Sequence, residues 1–175
     1  ALMKDQKDHM PDKYYINKIK RFKELIKHLN KAINSIELQI DELINSDDTL
    51  NNQYQLISSV DGIGVGKQVA VNTIVSTNGF RKFTSARKFA CHTGVAPFAY
   101  LSGSSQRSKF KVSHRANKKL KQLFHMAALS AISMKGELKD YFMRKVEEGK
   151  NKMTVINAVR SKIIHRIFAV IRSNE

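Results

Sequence analysis

The residues with the clearest chemical potential lie in one polar stretch, Ser102-Gly103-Ser104-Ser105-Gln106-Arg107-Ser108-Lys109. A serine hydroxyl is a weak nucleophile. Its attack on a phosphodiester needs in-line placement and positive charge or metal beside the non-bridging oxygens. Ser102 is the candidate nucleophile, because it precedes a glycine that lets a bulky polyanion come close to the backbone. Arg107, Lys109, Lys111 and Arg115 follow closely enough to clamp a phosphate. Ser104, Ser105 and Ser113 are rivals for the same role, and an ordinary loop or capping serine is the plain alternative. No Asp or Glu lies between Arg81 and Gln122. Any carboxylate that binds metal or accepts the serine proton must therefore come from elsewhere, and the chain is expected to be inactive alone.

Charge places the same stretch in a wider surface. The 175 residues carry a formal charge of +16. Residues 81–122 hold eleven Lys and Arg and no acid, against net charges of +2 over 1–46, −2 over 47–80 and +5 over 123–175. Like charge collected in one place points to a polyanionic partner, DNA before others. A surface kept basic only for solubility normally mixes both signs. Lys118, Lys119 and Lys121 fall on the polar side of a helix bearing Leu120, Leu123 and Phe124, and are phosphate contacts on this reading. His92, His114 and His125 are taken first as hydrogen-bonded structure, and Cys91 as a small buried hydrophobe. One cysteine and no Cys/His pair at ligand spacing leave no internal disulfide and no structural zinc, so no cofactor is expected in this chain. No apolar run approaches the roughly 18–20 residues that cross a bilayer. The expectation is a protein of a reducing cytoplasm with no membrane partner, which the resemblance described below narrows to bacterial and nucleoid-associated, and the abrupt polar start suggests a piece of a longer polypeptide.

The elements that must position these residues are helical. Apolar residues recur at three and four, strand-like alternation is missing, and there are only two prolines. Ile19, Phe22, Ile26, Leu29, Ile33, Ile36, Ile40 and Leu43 follow a 3,4 spacing over nearly four heptads, which predicts one long coiled-coil helix seeking a partner helix. A homodimer or higher oligomer through that seam is the favoured arrangement. Ser58 to Lys67 then form a glycine-rich turn between two helices, where Gly62 and Gly64 allow a sharp bend and close approach. The following helix, opening at Lys67, offers amide N–H groups at its positive end. This resembles a helix-hairpin-helix motif, and makes Gly62, Gly64 and Lys67 candidate DNA contacts; a turn that merely joins two helices is the plain alternative. A short capped helix after Thr84 or Ser85 ends at Gly94 and Pro97, and three helices follow over about 115–134, 138–148 and 153–172. The fold class is all-α, with a coiled-coil linker over 1–46 and a compact helical domain over 47–175.

The order of these motifs resembles the C-terminal domain of the transposase family of insertion sequences 110, 116 and 902, the Piv/MooV-like, serine-dependent DEDD enzymes. The resemblance covers residues 56–130. It rests on Gly62-Ile63-Gly64, Phe83-Thr84-Ser85, Gly94-Val95-Ala96-Pro97, Ser102-Gly103, and the basic stretch from Val112 to Leu120. The resemblance implies DNA strand exchange in which a serine forms a covalent protein–DNA intermediate, guided in some members by an element-encoded RNA. It also implies an N-terminal ribonuclease-H-like domain with four acidic residues, outside this chain, as the place of any divalent metal. The alternatives are a non-catalytic helix-hairpin-helix nucleic-acid-binding module and a dimerising scaffold whose basic charge is incidental.

Overall fold

A computed structural model describes residues 12–63, 66–97, 112 and 115–174. Among them there are seven helices and no strand: α1 (Asp12–Ser46), α2 (Asp48–Ser58), α3 (Lys67–Thr77), α4 (Ala86–His92), α5 (Lys118–Ser133), α6 (Glu137–Glu147) and α7 (Lys152–Arg172). The all-helical expectation holds. The chain divides into two compact units, Ala1–Asp47 and Asp48–Glu175.

In the first unit, α1 runs unbroken for 35 residues, about 50 Å at 1.5 Å per residue. No proline or glycine interrupts it. Phe22, Ile26, Leu29, Ile33, Ile36 and Leu43 of the heptad seam are exposed among the described residues.

The second unit is organised around α7. This helix buries nine residues, among them Ile163, Ile164, Ile167 and Phe168, and packs against α2, α4, α5 and α6. Its buried residues form one broad apolar face, and Lys152, Thr154, Ser161, Lys162, His165, Arg166 and Arg172 lie on the other side. Phe89 of α4 is completely buried among the rings of Phe83, Phe124 and Phe168, with centroids 5.4–6.1 Å away. Ala127, Ala128 and Ala131 keep one face of α5 low, which lets the turn after α2 come close. Thr73 and Thr77 are buried in α3, and their hydroxyls donate to the carbonyls of Val69 at 2.7 Å and Thr73 at 2.8 Å. The core therefore admits them without an unpaired polar group.

Candidate nucleic-acid interface

The glycine turn is built by sterics. Gly62 has φ +88, and a Cβ there would lie 2.5 Å from the Ala127 carbonyl oxygen and 2.7 Å from Ala131 Cβ. No side chain fits that gap. The turn is thus pressed onto the C-terminal half of α5, and Ile63 behind it is buried. Gly66 donates its N–H to Ile63 O at 2.6 Å and accepts from Val69 N at 2.8 Å, starting α3. Asp61 is fastened by Arg166, whose Nη1 donates to Asp61 Oδ2 at 3.0 Å and whose Nη2 donates to Glu137. Gly62 accordingly serves packing, Lys67 opens α3, and Gly64 lies outside the described residues.

A second glycine shapes the ground from which the serine-bearing segment springs. Gly94 has φ +69, and a Cβ on it would meet Ala116 Cβ at 2.7 Å and Val112 Cγ1 at 3.2 Å. The chain leaving α4 and the chain returning to α5 therefore touch. The Asn117 amide donates to His92 O at 2.9 Å, and the Asn117 side chain caps α5 by accepting from Leu120 N at 3.0 Å. Ala90 O accepts from the amides of Val95 and Ala96, and Asn157 Nδ2 of α7 donates to Val95 O at 2.9 Å. Both stems of the segment between Pro97 and Val112 are in this way tied to each other and to the core. Ser102, Gly103, Arg107, Lys109, Lys111, Ser113 and His114 lie outside the described residues.

Positive charge gathers at these stems. Arg115, Lys118 and Lys119 are exposed, and Lys121 is half-buried beside Gly94. The first turn of α5 contains no acid, and neither does that of α4, which carries Arg87 and Lys88 after Ser85. Cations at a helix N-terminus oppose the macrodipole by roughly 0.3–1 kcal/mol each. α2 and α6 follow the opposite rule, with Asp48, and with Glu137 and Asp140, in their first turns. Helix stability alone does not account for lysines at the start of α5. The hairpin glycine is not part of this cluster. It meets Ala131, thirteen residues beyond Lys118, or about 20 Å along the helix axis.

Beneath the stems lies a polar group that sequence reasoning missed. Arg160 of α7 is only 6% exposed. Its Nη2 donates to His125 Nδ1 of α5 at 2.6 Å, and its Nη1 makes a long 3.4 Å contact with Asn157 Oδ1. His92 and His125 are both held below the ordinary 6.5, by burial first and then by the charge of Lys82 and of Arg160 respectively. The unfolded chain takes up these protons as pH falls through about 6.5, while the folded state resists until lower pH. Stability is thus full above that value and declines below it. The urea midpoint should therefore fall between about pH 7.5 and pH 5, and His125→Gln, which keeps an acceptor for Arg160, should flatten the fall. Cys91 is partly exposed rather than buried as the sequence suggested.

Among the described residues no three His, Cys, Asp or Glu side chains come together so as to hold a metal ion, and no helix is long and apolar enough to cross a membrane. The profile of the transposase IS116/IS110/IS902 family matches residues 54–143. The chain is similar to the pilin gene-inverting proteins of Moraxella bovis and Moraxella lacunata, each 29% identical over 150 residues, covering 85% of this chain and 46% of the relative. It is also 24% identical over 144 residues to an uncharacterized 44.8 kDa protein of insertion element IS116 from Streptomyces clavuligerus, covering 82% of this chain and 34% of that protein. The chain thus spans half or less of the length of these relatives.

Proposed function

The chain belongs to the transposase IS116/IS110/IS902 family, and on that footing we propose that it is the DNA-handling C-terminal part of a bacterial insertion-sequence transposase or recombinase, with Ser102 as nucleophile. In the proposed step the Ser102 oxygen bonds to a backbone phosphorus, and the bond from that phosphorus to a deoxyribose oxygen breaks. The serine hydroxyl gives up its proton as it attacks, and the departing oxygen takes one up and leaves as a hydroxyl. A second attack by a DNA hydroxyl reverses the linkage on a new strand.

One observation carries the reading: the two stems of the acid-free segment that bears Ser102 are locked together beside Arg115, Lys118, Lys119 and Lys121. Stems fixed in this way are ordered before DNA arrives, which lowers the entropy lost when DNA is gripped. Arg107, Lys109 and Lys111 join the clamp in this proposal, and Lys67, Gly62 and Gly64 give a further backbone contact. In this proposal any divalent metal is held by the acidic residues of a ribonuclease-H-like domain. A guide RNA encoded by the element fits the same basic surface. The exposed α1 seam supports pairing of two chains through a coiled coil.

The test of the DNA-handling role is binding of the chain to duplexes of unrelated sequence at several salt concentrations. Lys118→Gln together with Lys119→Gln should reduce the slope of log affinity against log salt by about 1.8, at about 0.9 per phosphate contact. Unchanged salt dependence in this double variant, or no binding by the parent chain, would refute it.

A further inference from the structure

Arg160 sets a problem in physical chemistry. It is buried to within 6%, yet among the described residues it makes no ion pair and its Nε has no hydrogen-bond partner. Its partners, His125 and Asn157, are neutral when the imidazole is unprotonated. A buried cation without a counter-charge is costly, and an apolar side chain of similar length would fill the same space without that cost. Burial lowers the affinity of Arg160 for its proton, with no carboxylate to offset it.

The geometry of the pair indicates where the charge is used. Arginine has no acceptor, so the 2.6 Å contact requires a lone pair on His125 Nδ1 and places the ring proton on Nε2. That Nε2–H is a donor polarised by the guanidinium behind it, and among the described residues nothing accepts from it. His125 is half-buried, whereas Arg160 is inside. On α5, His125 follows Lys121 by four residues and Lys118 by seven, so the three share one face. This row leads from the exposed Lys118, past the half-buried Lys121, to the imidazole, over about 10 Å.

We infer that Arg160 and His125 form a subsite for one phosphate of a DNA backbone, with the His125 Nε2–H donating to a phosphate oxygen and the buried Arg160 supplying the charge behind it. The inference rests on the DNA-handling role proposed above and adds to it an inner contact that the family motifs do not include. A row of phosphates, rather than a lone carboxylate from a protein, is favoured because the lysines that precede His125 on the same face call for successive negative charges. Asn157 links the subsite to the loop stem. It accepts from Arg160 and donates to Val95 O, so occupancy of the subsite is felt at the root of the segment that carries Ser102.

Two measurements on the chain decide the matter. The His125 ring is titrated by nuclear magnetic resonance with and without a duplex of unrelated sequence, and the duplex should raise its pKa by about one unit or more, since an adjacent anion favours the charged form. Arg160→Gln should lose about one phosphate from the salt slope, roughly 0.9, whereas Arg160→Lys should keep it. The ring titration uses the unsubstituted chain, so it decides for or against the subsite even if Arg160→Gln does not fold. Duplex binding with an unmoved His125 overturns the subsite and leaves the DNA-handling role standing, and it is also the outcome expected if a protein carboxylate is the true occupant. No duplex binding at all overturns both.

Discussion

Ser102→Ala is expected to abolish the covalent protein–DNA adduct formed by the full-length polypeptide, while duplex binding stays within about twofold. The reason is chemical. Alanine removes the attacking oxygen and nothing else, because the charges assigned to the grip belong to Arg107, Lys109, Lys111, Arg115, Lys118 and Lys119. Loss of a nucleophilic serine that acts as a unit with its neighbours costs on the order of a millionfold in rate. The measurement is denaturing electrophoresis of the polypeptide incubated with end-labelled DNA, followed by mapping of the modified peptide. Ser104→Ala, Ser105→Ala and Ser113→Ala are the comparisons. An adduct that survives in Ser102→Ala and vanishes in one of these transfers the role to that serine. An adduct absent from the parent polypeptide makes the chain a non-catalytic binding module.

The second large effect concerns the fold. Gly62→Ala should destabilise the helical unit by about 3 kcal/mol or more, the sum of a positive-φ penalty of roughly 1–2 kcal/mol and an overpacking cost of roughly 1–3 kcal/mol. Gly149 provides the control, since its φ of +82 nearly equals the +88 of Gly62 while nothing lies within 4 Å of its would-be Cβ. Gly149→Ala therefore isolates the backbone penalty, and urea unfolding of the two variants gives the packing cost as their difference. Equal destabilisation would mean that the turn does not press on α5. A stability of roughly 5–15 kcal/mol is usual for a domain of this size, so Gly62→Ala takes a large share of it.

Helix existence was legible in the sequence because it depends on local periodicity. The 3,4 spacing from Ile19 to Leu43 gives α1, and the expected helices over about 138–148 and 153–172 correspond to Glu137–Glu147 and Lys152–Arg172. The helix expected from about 115 begins at Lys118, since Asn117 takes the capping position. Partnerships across the fold were not legible. That Gly62 answers to Ala127 and Ala131 depends on a contact between residues more than sixty positions apart, which no local pattern encodes. Arg160 sits amid apolar residues at helical spacing, and a single charged residue there looks like the solvated edge of an amphipathic face. The available signal was spacing: Arg160 stands four residues after Ile156 and four before Ile164, within the apolar face and away from the polar side of Lys162, His165 and Arg166. The serine loop is the reverse case: its chemistry is read from sequence, and Ser102 lies outside the described residues.

The central position of α7 has a consequence for how the protein is made. Four earlier helices converge on the one that the ribosome delivers after all of them, so the partly synthesised chain can pair α2 with α3 and α3 with α5 but leaves uncovered the apolar faces that α7 closes. The lysines of α5 emerge before the arginine that lies behind His125. A nascent chain can therefore attract nucleic acid through its basic stretch before its binding surface has a shape, and selective grip begins only once α7 has left the exit tunnel and the earlier helices have folded around it.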